Sequence, residues 1–441
     1  MSKKIDASPT KDFFVRMITR DITLEDCILD LLDNCIDGAG KDLERKGISH
    51  SEDSLYEGYQ AKIVVKENSF FIDDNCGGIS LDEAIDYAFH FGRRPDAPKD
   101  TEFAIGLYGI GMKRAIFKLG NLINISSCTD NECFQVNIDV NHWLEHPKDW
   151  DFDLDEVENK ESLGTSIKVT ELKEAVSREF SDQVFKNTLK RIIARDYSFF
   201  IQKGFLVLMD NEPIEPYRFM LRESDEFEPM RHTYIDEEGV EVEIIAGMSG
   251  LPPEDISPSQ QDDKVEYYGW FVACNDRIVL AGDKTKATVW GDEFPVWHTQ
   301  YNGFMGIVNF KSSDPSLLPW TTTKREIDLQ DAIYKRALHH MKKVTRNYID
   351  YTNERKDSTD EARALEDKAK PKPILELKNR ELFRVPSFSG KSKVDMANIQ
   401  YRVERDRARQ VGEQLGSKGM TLTQIGIKTF EYFYSNEVED E

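Results

Sequence analysis

The chain has 441 residues, room for two or three domains with a sizeable core. Its 58 Lys and Arg against 81 Asp and Glu leave a net charge of −23, which argues against the whole surface binding a phosphate backbone, although a local basic groove stays open. No apolar run nears the roughly 20 residues of a membrane span, "MSKKIDASPTKDFF" holds no signal-peptide core, and the six cysteines form no CxxC pair that would suggest a zinc site or a disulfide framework, so a reduced cytoplasm is expected.

The first informative element is "CILDLLDNCIDGAG", Cys27 to Gly40. Ile28, Leu31, Leu32 and Cys35 recur at helical spacing, which predicts an amphipathic helix. Asp30, Asp33, Asn34 and Asp37 then fall within roughly one quadrant of the other face. Like charges so spaced destabilise a helix by about a few tenths of a kcal/mol per pair. A solvated acidic face and a cation site both fit this stretch. For the second, oxygen ligands with an amide among them suit a hard ion such as Mg²⁺, which completes its shell with water and phosphate oxygens.

Next, Lys62–Glu67 and Ser69–Asp73 read as two strands of a hairpin, and the Asp-Asn-Cys-Gly-Gly run after them reads as a tight turn. A hairpin end explains these residues, and so does an aspartate that accepts from an exocyclic amine beside glycines leaving room for a flat ring. "AIGLYGIGMKRAIFKLG", Ala104 to Gly120, runs Gly106, Gly109 and Gly111 into a helical pattern. Such glycines let backbone N–H groups approach an anion, the helix N-terminus adds its dipole, and Lys113 and Arg114 add positive charge in the first turn. The GxxGxG spacing is neither the dinucleotide fingerprint nor a Walker A loop.

Together, "DLLDNCIDGA", "IDDNCGGIS" and "GLYGIGMKRA" closely resemble the signature of the GHKL ATPase superfamily: the DNA gyrase B subunit, the ninety-kilodalton heat-shock chaperone, histidine kinases, MutL and MORC proteins. "LGTSIKVTEL" resembles the family's Gly-Thr strand, and "LLPWTTTKREIDL" the MutL segment that carries a phosphate-reaching lysine. "FHFGRRP" adds a faint likeness to MORC. The resemblance covers about residues 10 to 345 and is strongest in the first 120. It implies an α+β chain: a Bergerat-type sandwich of helices on a mixed sheet (1–175), a second α/β transducer domain of the ribosomal-protein-S5 domain 2-like type (176–351), and a small helical tail.

The resemblance also implies roles. Asn34 would hold Mg²⁺, with ATP as the substrate. Asp30 stands where the family commonly has a glutamate general base, one turn before Asn34. Asp74 would bind adenine, with Gly78 in its turn and Thr165 helping. Gly106, Gly109, Ile110, Gly111, Met112 and Lys113 would wrap the phosphates within a mobile lid, about Phe89 to Lys113. Lys324 would reach the γ-phosphate from the second domain. Asp33 and Asp37 would serve the pocket through solvent and structural hydrogen bonds. Asp30 is one methylene shorter than the usual glutamate, which implies slow hydrolysis, and Cys76 stands where the adenine turn often has a glycine.

Beyond residue 174, a helical stretch leads into "GFLVLMDNEPIEP", which reads as strand–turn–strand and resembles the start of the transducer domain. "VEYYGWFVACNDRIVLAGDKT" gives a hairpin with Asn275-Asp276 at its turn, and "DLQDAIYKRALHHMKKVTRNYIDY" a long amphipathic helix whose His339 and His340 read as a solvated or packed pair. Residues 352–395 read as a charged, exposed connector with a short helix, and 396–441 as a helical tail with aromatic residues at one end. The resemblance implies an ATP-dependent homodimer, acting as a clamp or switch with partner proteins in DNA transactions or phage defence. A heat-shock type chaperone and a nucleotide-binding subunit with little hydrolysis are the alternatives.

Overall fold

A computed structural model of the chain describes residues 9–48, 54–92, 102–106, 109–158, 162–253, 265–321, 324–388, 399–400, 402–415 and 420–438. The first two helices are α1 (Lys11–Arg20) and α2 (Leu24–Arg45), each opened by a threonine cap, Thr10 and Thr23. Strands β1 (Gln60–Lys66) and β2 (Ser69–Asp74) bury alternate residues. A short helical turn, α3 (Leu81–Glu83), precedes α4 (Gly111–Leu119), which follows the glycine segment. Then come β3 (Gly120–Cys128), β4 (Cys133–Asp139), α5 (Val140–Glu145), β5 (Leu154–Val157) and β6 (Gly164–Leu172). Helices α6 (Glu174–Ser181), α7 (Gln183–Asp196) and α8 (Ser198–Gln202) lead to β7 (Leu206–Met209) and β8 (Glu212–Pro213).

These strands form one mixed sheet in the order β5-β4-β3-β6-β2-β1-β7-β8, antiparallel except for the parallel β1–β7 pair. The strand–turn–strand at 204–216, read from the sequence as the start of a second domain, thus completes the first sheet by pairing with β1. An apolar strand laid on an open edge satisfies backbone groups that would otherwise lack partners.

After β9 (Met220–Glu223), a second mixed sheet uses β10 (Met230–Ile235), β11 (Glu241–Met248), β12 (Gly269–Cys274), β13 (Arg277–Asp283) and β14 (Phe304–Lys311) in the order β10-β11-β14-β12-β13. The long helix α9 (Ala332–Glu354) follows; its Met341, Val344 and Tyr348 are buried in the core. His340 stands among His232, Tyr234 and His339. The chain is α+β throughout, as expected. No helix among the described residues is long and apolar enough to cross a membrane.

Two readings of local sequence change in three dimensions. Through Phe388 the charged stretch read as an exposed connector is packed: after α10 (Thr359–Glu366), β15 (Lys370–Pro373) pairs with β9, and Ile374, Leu377 and Phe383 are buried. The buried Glu366 carboxylate accepts from Arg355 and Tyr351. Charge patterning misses this because paired charges can be buried. Secondly, Cys128 and Cys133 form a disulfide, because the β3–β4 register sets them directly opposite each other. Residues to 388 form one compact unit; those from 389 form another, with helices α11 (Arg405–Gln414) and α12 (Leu422–Glu437).

Candidate nucleotide site

The helical register of α2 buries Ile28, Leu31 and Leu32 and turns Asp30, Asn34 and Asp37 to the wall of one cavity, about 760 Å³ in volume. The other residues singled out from the sequence share that wall: Asp74, Gly78, Gly106, Gly109, Ile110, Gly111, Met112, Lys113, Thr165 and Lys324. Of the expected lid, 89–92, 102–106 and 109–113 lie among the described residues and the remainder lies outside them.

At one end is Asp74. Its Oδ1 accepts from the backbone N–H of Cys76 at 2.8 Å and of Thr165 at 3.3 Å. Burial pushes its carboxyl up to about 6, against the pull of those amides. Ser127 links the neighbouring groups: its hydroxyl accepts from the Ile79 N–H at 2.8 Å and sits 2.8 Å from the Thr165 hydroxyl. Close approach demands glycine here. A Cβ on Gly78, at φ +71°, would stand 2.1 Å from the Cys128 carbonyl oxygen; one on Gly164, at φ +123°, would stand 1.9 Å from that of Asp74. Cys76 fits where a glycine is common because Gly38 of α2 faces it: a Cβ on Gly38 would lie 3.2 Å from the Cys76 Cβ.

At the other end the glycine segment is held from α2. Asp37 accepts from the N–H groups of Ile105 and Gly106, both at 2.7 Å. Burial raises its carboxyl to about 6, the largest influence on it, although Lys324 and the two amides oppose the rise. The N-terminus of α4 adjoins Asp30, so that a Cβ on Gly111 would lie 3.4 Å from the Asp30 carboxyl carbon. Lys113 donates to the Ala88 carbonyl at 2.8 Å, and burial lowers its ammonium to about 8.

Arg114 is not spare positive charge for an anion. Its guanidinium grips both oxygens of Asp30, at 2.6 and 3.0 Å, with both side chains buried. Periodicity puts Arg114 in the first helical turn but names no partner for it, since the two residues lie 84 positions apart.

Asp33 lies behind the cavity wall, 1 % exposed, and gathers groups from the rest of the unit. It accepts from the Tyr197 hydroxyl at 2.6 Å, Arg277 Nε at 3.1 Å and Lys324 Nζ at 2.9 Å. Burial alone would raise its carboxyl; Lys324 and Arg277 bring it down to about 2. Arg277 also pairs with Asp196 at 3.3 Å, and Arg325 bridges Asp196 and Asp26. Lys324 has φ +55°, and its N–H donates to the Thr321 carbonyl at 3.0 Å. Neither Tyr197, Arg277 nor Asp196 carries a motif; only folding brings them to α2.

The donor set bears on a metal. Asp30, Asp33 and Asp37 are committed to Arg114, to Lys324 and Arg277, and to two amides. Asn34 is exposed on the cavity wall. No cluster of three or more His, Cys, Asp or Glu suited to a metal occurs among the described residues. One amide oxygen from the protein, with phosphate and water supplying the rest, fits Mg²⁺ and its preference for keeping water.

Residues 22–172 match the family model described as Histidine kinase-, DNA gyrase B-, and HSP90-like ATPase. This segment is a GHKL ATPase domain. It contains Asp30, Asn34, Asp74, the glycine segment and Thr165, whereas Tyr197, Arg277 and Lys324 lie beyond the match. A GHKL domain binds ATP and hydrolyses it, generally with Mg²⁺. No curated protein matches the chain.

Proposed function

We propose that the chain is a Mg²⁺-dependent ATPase that works as an ATP-driven dimerising clamp or switch of the MutL and MORC kind. The observation that carries this reading is Lys324. It comes from outside the matched ATPase segment, yet it lines the same cavity as Asn34 and the glycine segment. Asp74 would accept from the exocyclic amine of adenine beside Thr165, and Gly106, Gly109, Ile110, Gly111, Met112 and Lys113 would enclose the phosphates. Asn34 would supply the protein ligand to Mg²⁺, whose chemistry is to offset phosphate charge. Asp30 would orient or deprotonate the attacking water. Lys324 would add a contact that only the third phosphate offers, favouring one arrangement of the two sheets. A ligand shifts such an equilibrium by its differential affinity for the two states.

A second reading has its own observation. Asp30 is held by Arg114, and a carboxylate committed to a bidentate pair is a poor water base. That arrangement favours a nucleotide-binding subunit with slow hydrolysis. Both readings place the protein among partner proteins, in DNA transactions or phage defence by analogy of fold, in the cytoplasm. Phosphate release by the purified chain, with and without Mg²⁺ and with Asp30→Asn as control, separates them. Turnover that needs Mg²⁺ and Asp30 supports the ATPase; tight ATP binding without it supports the subunit.

A further inference from the structure

The second sheet touches the nucleotide cavity at a place other than Lys324. The turn between β12 and β13 is Asn275-Asp276, with φ +46° and +65°, a pair of left-handed residues that Asn and Asp tolerate well. Asn275 is 4 % exposed. Its side-chain amide donates to the Ala104 carbonyl at 3.2 Å and to the Ser312 carbonyl at 3.1 Å; its side-chain oxygen accepts from the Ser312 N–H at 2.9 Å. Asp276 accepts from Asn309 of β14 at 2.6 Å, which holds the turn to its own sheet, and from Lys203, between α8 and β7, at 2.7 Å.

Ala104 begins the glycine segment and lines the cavity. The next two N–H groups, of Ile105 and Gly106, go to Asp37 on α2. Three consecutive residues are thus held by two elements: two N–H groups by the helix, one carbonyl by the second sheet. The residue after the turn pair, Arg277, reaches Asp33, one helical turn before Asp37. One turn therefore contacts both the helix and the start of the phosphate-wrapping segment.

We propose that Asn275 is a positioning residue that ties the placement of the glycine segment to the second sheet, so that ordering of this segment around nucleotide is transmitted through the β12–β13 turn as well as through Lys324. This rests on the ATPase reading. Asn275 does not line the cavity; it acts through the carbonyl of Ala104, which does. Ordering of the segment is carried to the turn through that bond.

The test uses the full chain and two variants. Asn275→Gly keeps the positive φ and removes the side chain; Asn275→Asp keeps the turn preference and the acceptor for Ser312 but cannot donate to Ala104. In the native protein, a non-hydrolysable ATP analogue with Mg²⁺ should slow hydrogen exchange in peptides covering both 102–113 and 272–280. In either folded variant, at saturating analogue, the first response should persist and the second should be lost, and turnover at saturating ATP should fall at least about fivefold, the order of one hydrogen bond. A purely structural turn residue would lower the melting temperature and leave the paired exchange response intact. Variants that keep both exchange responses and native turnover overturn the proposal while leaving the ATPase reading standing. A native protein that neither binds nor hydrolyses ATP overturns both.

Discussion

Arg114 and Asp30, from different helices, form a two-pronged buried ion pair with both contacts at or below 3.0 Å, on the wall of the nucleotide cavity. Removing one partner strands the other's charge away from water, a loss of about 3–5 kcal/mol for such pairs. Arg114→Ala should therefore lower the unfolding free energy by roughly that amount, and Asp30→Asn combined with Arg114→Gln should lower it by less than Arg114→Ala does. Urea unfolding of the three variants checks this; a double variant as unstable as Arg114→Ala would mean that packing rather than charge sets the loss.

Asp30 is also the proposed base. Asp30→Asn should retain ATP affinity within a few-fold and lose most turnover, because the amide can still hold water but cannot take its proton. Asn34→Ala should weaken Mg·ATP itself, measured by calorimetry with and without Mg²⁺. Native turnover in Asp30→Asn would remove the assignment.

Asp74 sets a pH dependence. With its carboxyl raised to about 6 by burial, the nucleotide-free chain carries it increasingly protonated below that pH. A raised folded value means stability fully present below the ordinary carboxyl value and lost as pH rises through 6. Nucleotide binding runs the other way, since the ionised form accepts from the base: affinity should fall about tenfold between pH 7 and 5 through this group. Asp74→Asn should bind about 5- to 150-fold more weakly at pH 7, the cost of a mispaired buried donor, and show a shallower slope. Equal affinity of the native protein for ATP and GTP would contradict the role.

Asp33 has the opposite sign. Lys324 and Arg277 hold its carboxyl at about 2 despite burial, so the stability it contributes is present above the ordinary value near 3.8 and lost as pH falls through 2. Asp33→Asn should lower stability at pH 7 and narrow its difference from the native chain near pH 2, as followed by circular dichroism.

Lys324 decides between clamp and passive subunit. A non-hydrolysable analogue with Mg²⁺ should raise the dimer fraction, and ADP should do so weakly or not at all. Lys324→Ala should bind nucleotide yet lose most of this response. Light scattering during size-exclusion chromatography reads it directly; one mass in all states would favour the subunit.

The sequence by itself determined the local parts: an amphipathic helix with its acidic face, a hairpin ending in a glycine turn, and a glycine segment entering a helix. Each follows from near-neighbour periodicity and from backbone conformations that few residues adopt. That these parts share one cavity was legible only as a resemblance, because spacing along the chain carries no distance between elements. Tertiary structure alone decided the partners. Asp30 faces Arg114, Asp33 faces Tyr197, Arg277 and Lys324, and Asp37 faces two amides, because sheet pairing and burial bring together residues 68 to 291 positions apart. The same holds for β7 on the first sheet, β15 on β9, and the Cys128–Cys133 bridge. An isolated charge pattern is read as a solvated face; whether each charge is instead buried depends on which counter-charge the fold delivers, since burial is tolerated only when the pair is completed.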